Sequence, residues 1–124
     1  MTQEDKELLL KDLCARVPYN THIFTNSKHH IRLLTISHDI DYDGQFLING
    51  LYDVDEVKPY LRPLSSMTEE EKDELRKLST LLSSILLADK LSEWLNSHHF
   101  DYHGLIEKEF AIEVTEENNP YKDE

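Results

Sequence analysis

The spacing of apolar residues changes twice along this chain, and that change constrains the fold more than any other feature of the sequence. Leu9, Leu13 and Cys14 recur at helical spacing behind Thr2, a residue suited to cap a helix N-terminus. Residues 19–52 then favour β-branched and aromatic side chains, which is typical of strands. Helical spacing returns beyond that segment. A chain of 124 residues with this pattern predicts an α+β fold.

The strand-rich segment predicts three or four antiparallel strands that form a meander. Turn signals separate its apolar runs at Asn26-Ser27, Asp43-Gly44 and Asn49-Gly50. Such a sheet must bury one face, and the helices are the available cover. A further short run, FAIEV at 110–114, alternates apolar and polar residues and predicts a final edge strand.

Residues 54–67 predict an irregular connector. They contain Pro59 and Pro63, and proline is excluded from helix interiors and central strands because it lacks a backbone N–H. Tyr60 and Arg62 lie between the prolines, where basic and aromatic residues gather. These two side chains either anchor the crossing within the fold or contact a partner.

The helical segment begins with a full capping box, in which Thr68 and Glu71 satisfy each other's backbone N–H groups. Two apolar stripes follow, and the second is rotated from the first. This change of phase predicts a break within 79–89, between helices over about 69–83 and 87–97. The stripes are, in order, Leu75, Leu78, Leu82 and Ile85, then Leu87, Leu91, Trp94 and Leu95.

One globular domain is expected to span residues 1–114, since that length buries a core without disulfides. Its parts are an N-terminal helix, the three- to four-stranded antiparallel meander, two to three helices and the short final strand. The polar residues 115–124 are expected to form a disordered tail. The predicted core consists of Leu9, Leu13, Ile23, Ile31, Leu33, Ile36, Phe46, Ile48, Leu78, Leu82, Leu91, Trp94, Leu95, Leu105 and Ile106.

The chain carries a formal charge of −12, most of it in its second half. Residues 63–124 hold six Lys or Arg and fifteen Asp or Glu, which gives −9. Such a surface repels nucleic acid and anionic membranes, so neither is an expected partner. The charge either serves solubility alone or meets a basic protein. The candidate partner-binding residues are Glu69, Glu70, Glu71, Asp73, Glu74, Tyr60 and Arg62.

Cys14 is the only cysteine, which excludes an intramolecular disulfide and fits a reducing cytoplasm. It shares the apolar face of the first predicted helix and is expected to be a buried structural thiol. No cofactor is expected, because the sequence has neither a nucleophile elbow nor a glycine-rich phosphate loop. The longest apolar run, ILLA at 85–88, is too short to span a bilayer.

The segment NSHHFDYHGLI at 96–106 holds the densest group of chemically active side chains. One hypothesis is a metal-dependent enzyme centred on His98, His99, Asp101 and His103. Adjacent histidines, however, diverge by about 100° on a helix and cannot both reach one ion. The favoured hypothesis is a helix–helix junction. In it the first two histidines end one helix and Asp101 caps a short helix over 102–110.

Three blocks of sequence, LLLKDLCARVPY, VKPYLRPLSSMTEEE and WLNSHHFDYHGLIEKEFAIEV, resemble a family of short proteins from anaerobic gut bacteria and their phages. That family has no assigned activity, so the resemblance implies only a mobile-element context and a cytoplasmic location. The predicted function is therefore a small, acidic, non-enzymatic protein-interaction module that binds a basic partner surface. The alternative is the metal-dependent enzyme centred on the histidine cluster.

Overall fold

Three α-helices and six β-strands make up the part of the chain that the computed structural model describes, residues 2–39, 45–81 and 84–121. Their order confirms the predicted α+β class. No helix in these ranges is both long and apolar enough to cross a membrane. The elements are α1 (Gln3–Arg16), β1 (His22–Thr25), β2 (His30–Arg32), β3 (Ile36–Asp39), β4 (Gln45–Ile48), β5 (Val57–Leu61), α2 (Glu69–Leu81), α3 (Ser84–Ser97) and β6 (Ile112–Glu113).

Helix α1 buries a different face from the predicted one. Leu9 and Leu13 are fully buried as expected, but Cys14 is exposed, so the prediction of a buried thiol is wrong. The other two buried residues are Asp12 and Arg16. All four buried positions recur at the spacing of one helical stripe, and Cys14 lies about 100° away from that stripe.

Strands β1 and β2 form a hairpin, and β5 and β6 extend it into a four-stranded sheet of order β2-β1-β5-β6. Strand β5 runs antiparallel to β1, whereas β6 runs parallel to β5. The prediction of an irregular connector is therefore wrong for Val57–Leu61, which is a central strand. The predicted final strand is confirmed as a two-residue edge strand.

Pro59 is accommodated in a central strand because of the register. The Asn26 amide donates to the Glu56 carbonyl at 2.8 Å, so the hydrogen-bonded pairs between β1 and β5 involve even-numbered residues. Pro59 lies opposite Ile23 in a non-hydrogen-bonded pair, and pairing with β6 begins only at Tyr60. No ladder bond therefore requires the N–H that proline lacks.

Strands β3 and β4 pair in a separate two-stranded sheet, so the predicted meander is divided between two sheets. Asn49 connects them, since its side chain accepts from the Leu34 amide at 2.6 Å and donates to the Arg32 carbonyl at 2.7 Å. The predicted turn at Asn49-Gly50 is confirmed, with φ of 54° and 73° as a type I′ turn requires. The predicted turn at Asp43-Gly44 lies outside the described residues.

The core lies between α1 and the inner face of the four-stranded sheet. Its buried members are Leu9, Leu13, Ile23, Leu33, Ile48, Val57, Leu61, Leu105 and Ala111. Three further predicted residues, Ile31, Ile36 and Ile106, pack against it half-buried. The prediction is wrong for Phe46, which is 41% exposed.

The predicted division into two helices is confirmed, since α2 ends at Leu81 and α3 begins at Ser84. The two helices fold back on each other, and Trp94 Nε1 of α3 donates to the Glu74 carboxylate of α2 at 3.1 Å. Helix α2 contains no buried residue. The predicted core residues of both helices are only half-buried: Leu78, Leu91, Trp94 and Leu95. Leu82, also predicted for the core, lies outside the described residues.

The tail was expected to be disordered, but residues 115–121 make defined contacts. Thr115 and Asn118 bond to each other in a turn, with the Thr115 amide 2.6 Å from Asn118 Oδ1. The Tyr121 hydroxyl then reaches the backbone of β1 and β5. Residues 122–124 lie outside the described part of the chain.

Candidate functional site

Helix α3 ends in a Schellman motif centred on His99. The His99 amide donates to the Asn96 carbonyl at 3.1 Å, and the Phe100 amide donates to the Leu95 carbonyl at 3.0 Å. His99 has φ of 63°, the left-handed conformation that glycine prefers at this position. Phe100 is fully buried, and its ring stacks on Trp94 at 5.8 Å. The segment is therefore a junction, and its backbone turns at a histidine.

Asp101 holds the next turn through both carboxylate oxygens. Oδ1 accepts from the Leu105 amide and Oδ2 accepts from the Ile106 amide, each at 3.0 Å. Asp101 thus accepts backbone hydrogen bonds as predicted, but it caps no helix. The predicted short helix over 102–110 is wrong, because that segment forms a series of turns that ends at Glu109 with φ of 66°.

The four residues of the metal hypothesis contact different neighbours. His98 Nδ1 lies 2.8 Å from a backbone carbonyl of α3, and His103 Nδ1 lies 2.7 Å from a carboxylate of α1. His99 stacks on a tyrosine ring at 3.7 Å, and Asp101 binds backbone amides. Over 2–39, 45–81 and 84–121, no three His, Cys, Asp or Glu side chains are placed to hold a metal ion. This arrangement does not bring the four residues to one ion.

Ser97, His98 and Glu74 form a line that superficially suggests a nucleophilic triad. Ser97 Oγ lies 3.1 Å from His98 Nδ1, and His98 Nε2 lies 3.9 Å from Glu74 Oε2. The proton positions do not support it. The Trp94 carbonyl accepts from both Ser97 Oγ at 2.8 Å and His98 Nδ1 at 2.8 Å, so Nδ1 carries a proton. A protonated nitrogen cannot take the serine proton, and the line therefore lacks a general base.

Arg62 and Glu71, two of the candidate partner-binding residues, bind each other. The two guanidinium Nη atoms donate to the two carboxylate oxygens at 2.8 and 2.7 Å. The hydrogen bonds from Arg62 are the main cause that lowers the pKa of Glu71 to about 2, and Thr68 adds to the effect while burial opposes it. Arg62 also lies 4.2 Å above the Phe100 ring. The pair ties the start of α2 to the end of α3.

The remaining acidic candidates lie on the solvent side of α2. Glu69 pairs with Lys72 at 3.2 Å, and Asp73 pairs with Arg76, both as exposed contacts one helical turn apart. Such pairs contribute little to stability and leave the carboxylates accessible. Tyr60, by contrast, is half-buried in β5, and burial raises the pKa of its hydroxyl.

The exposed side of the two helices also carries large apolar side chains. Leu81 is 81% exposed near the end of α2, and Leu86 is 55% exposed near the start of α3. We call this face the hairpin surface. Its members on α2 recur every three or four residues, and they are Glu70, Asp73, Glu74, Lys77 and Leu81, joined by Leu86 of α3. Neither leucine stands out in the sequence, because both fall within apolar helical runs.

A cavity of about 670 Å³ opens between the end of α3, the turn after β5 and the tail. Its walls come from three segments: Arg62 and Ser66, then Ser97–His99, then Val114–Glu116 with Asn119 and Tyr121. The tail therefore supplies one complete wall. The sequence could not indicate this cavity, because the segment that forms that wall was expected to be disordered.

Tyr121 is bound at the end of the ladder between β1 and β5. The next pair in that register is His22 opposite Tyr60, and the Tyr121 hydroxyl lies between them. It accepts from the His22 amide at 3.0 Å and donates to the Tyr60 carbonyl at 2.8 Å. His22 Nδ1 is in turn 2.6 Å from His30 Nε2. The only sequence signal for this cluster is that the two histidines share one face of the predicted strands.

A buried ionic network connects α1 with the junction. Asp12 and Arg16 are both fully buried, with 2.7 Å between Oδ2 and Nε. Arg16 Nη2 donates to the Phe100 carbonyl at 2.6 Å, and His103 Nδ1 lies 2.7 Å from Asp12 Oδ1. Within the described residues Arg16 Nη1 has no hydrogen-bond partner. This network explains why Asp12 and Arg16, and not the predicted Cys14, lie on the inner face of α1.

No family model, no curated protein and no solved structure matches this chain.

Proposed function

We propose that this chain is a non-enzymatic interaction protein of a phage or another mobile element, that it acts in the cytoplasm, and that it binds a basic protein through the hairpin surface. The resemblance of three sequence blocks supports the origin, and the single cysteine supports the compartment. The observation that carries the binding mode is the exposure of Leu81 and Leu86, at 81% and 55%, on two helices of which α2 also carries exposed carboxylates.

Burial of the two leucines supplies the affinity. Fully covering a leucine contributes about 1.5–3 kcal/mol, and most of the surface of both side chains is still open to solvent. An apolar centre with a charged rim is the usual anatomy of a protein interface. In this surface the apolar part consists of Leu81 at the end of α2 and Leu86 near the start of α3, and the charged rim lies along α2.

The carboxylates of the rim set the charge of the partner. Glu70, Asp73 and Glu74 are exposed within about one turn of α2. Asp73 is also paired with Arg76, and Glu74 also accepts from Trp94 Nε1. Complementary Lys and Arg on the partner increase the rate of association and exclude acidic competitors. The expected action is to mask a basic surface, sterically and electrostatically.

The test compares matched variants in a capture experiment from the native cell, followed by titration calorimetry with the captured protein. Leu81→Ser with Leu86→Ser removes the apolar centre, and Glu70→Lys with Asp73→Lys reverses the rim. The control is Leu51→Ser, which changes a leucine that is 69% exposed outside the helices. We expect the wild-type chain and the control to bind one basic protein, and both hairpin variants to bind it at least about tenfold more weakly, or 1.4 kcal/mol.

Salt provides a second readout. Binding by the wild-type chain should weaken between about 0.05 and 0.5 M salt, because exposed charges are screened over that range. The proposal fails if the hairpin variants bind as well as the control, or if the captured protein is acidic. Equal loss of binding in Leu51→Ser would show that the effect is not specific to the hairpin surface, and would also contradict the proposal.

A further inference from the structure

We propose that residues 115–121 form a strap that closes the cavity at neutral pH and is released in mild acid by the His22–His30 pair. Tyr121 holds the end of the strap. When the strap is released, the cavity loses the wall that the strap supplies. This device lies outside the hairpin surface and does not depend on the proposed partner.

The Tyr121 hydroxyl takes the place of a direct backbone hydrogen bond between two strands. It completes the ladder where β1 and β5 no longer bond directly, at 3.0 Å from the His22 amide and 2.8 Å from the Tyr60 carbonyl. The Tyr121 ring stacks on His99 at 3.7 Å and meets the His22 ring edge-on at 5.0 Å. The strap can therefore leave without breaking the sheet core, which lies on the other face.

The histidine pair shares one hydrogen. At 2.6 Å between Nδ1 of His22 and Nε2 of His30, one nitrogen must donate and the other must accept. A first added proton preserves that bond, because an imidazolium still donates to the neutral ring. A second added proton places two N–H groups and two charges face to face. His22 is 9% exposed beneath the Tyr121 ring, so its displacement moves Tyr121 as well.

The surroundings add to this repulsion. Arg32 of β2 lies directly opposite His22, and Lys58 of β5 lies on the same face of the sheet. The Tyr60 ring of β5 lies 5.1 Å from the His30 ring, and His99 stacks on the Tyr121 ring. On the strap, Glu116 and Glu117 are exposed and make no ion pair within the described residues.

The direction of the pH effect follows from linkage. His30 is exposed, but partial desolvation by its neighbours, with the charge of His22 as the second cause, holds its pKa below the ordinary value of 6.5. The closed state thus binds protons less readily than the open state. The closed strap is fully favoured above pH 6.5, and this advantage is lost as the pH falls below that value.

The experiment is residue-resolved amide hydrogen exchange on the full chain at pH 7.5 and 5.0, expressed as protection factors that correct for intrinsic rates. The His22 amide reports closure directly, because its acceptor is the Tyr121 hydroxyl. We expect its protection factor to be several-fold lower at pH 5.0 than at pH 7.5, because the closed state loses its advantage below pH 6.5. The Ile23 amide, in the same strand, should keep its protection and shows that the sheet remains folded.

Three variants make the test decisive. His30→Gln removes one titrating ring and should keep the His22 amide protected at both pH values. His29→Gln changes an exposed neighbour and should behave as the wild type does. Tyr121→Phe removes only the hydroxyl and should lose the protection even at pH 7.5. Protection of the wild-type His22 amide that stays within about twofold between the two pH values, or that falls equally in His30→Gln, overturns the proposal.

Discussion

Removing the Asp12 carboxylate should destabilise this protein more than any surface substitution. Asp12 and Arg16 are both fully buried, so Asp12→Ala leaves the guanidinium without its counterion in the interior. The Phe100 carbonyl, 2.6 Å from Nη2, would be its remaining acceptor, and His103 would lose its carboxylate partner. Breaking a buried pair in this way costs about 3–5 kcal/mol. That is about a fifth or more of the stability of a typical domain.

Urea unfolding at pH 7, followed by circular dichroism, measures this loss. The matched control is Asp55→Ala, because Asp55 pairs with Lys6 at 3.6 Å with both side chains about two-fifths exposed, and such a pair is worth at most about 1 kcal/mol. Replacing both Asp12 and Arg16 by Leu and Met should cost far less than Asp12→Ala alone, since no unpaired charge remains. Equal losses for Asp12→Ala and Asp55→Ala would refute the argument.

Two further changes test the helices. The pKa of Glu71 is lowered to about 2 from 4.5, so its contribution to the unfolding free energy, about 2–3 kcal/mol, is present above pH 4.5 and is lost as the pH falls towards 2. In Glu71→Gln the unfolding free energy should lose this pH dependence. An unchanged pH profile in that variant would exclude the pairing of Glu71 with Arg62. Trp94→Ala should lower the unfolding free energy in a urea titration by about 2 kcal/mol, because the ring is half-buried and held mainly by stacking. A tryptophan in the core would cost about 3–5 kcal/mol. A measured loss above about 4 kcal/mol would show that Trp94 belongs to the core.

The elements that follow from local chemistry could be predicted from the sequence. The capping boxes at Thr2 and Thr68 are both present, with Thr68 Oγ1 accepting from the Glu71 amide at 3.2 Å. The phase change of the leucines predicted two separate helices, and the structure contains both, α2 and α3. Each of these signals lies within a few residues of the structure that it predicts, so no tertiary contact is needed to interpret it.

The features that depend on long-range register could not be predicted. A proline argues against a central strand only where the ladder requires a backbone N–H at that position. Pro59 occupies a non-hydrogen-bonded pair, in which no N–H is required. The same limit applies to the inner face of α1, where Arg16 is buried because a carbonyl 84 residues away accepts from it. Tyr121 is bound 99 residues from His22. No local pattern carries that information.

The segment around Asp101 allows a last prediction, because both of its carboxylate oxygens are used. Asp101→Ala removes the acceptors of the Leu105 and Ile106 amides and should cost about 0.5–2 kcal/mol, the usual worth of a cap. An ordinary N-cap tolerates asparagine, since one oxygen suffices. Here asparagine would keep one oxygen and present an NH₂ group to the other amide, two donors facing each other in a site that is 9% exposed.

Asp101→Asn should therefore not be silent, and its cost should approach that of alanine, about 1 kcal/mol or more for the orphaned amide. The metal hypothesis predicts differently: asparagine would weaken ion binding while the apo protein kept its stability. Thermal unfolding with and without chelator separates the two. The junction requires that chelator leave the melting temperature of the wild type unchanged, because no ion is part of that fold. A chelator-induced drop that zinc reverses, together with a silent Asp101→Asn, would return His98, His99, Asp101 and His103 to a metal site.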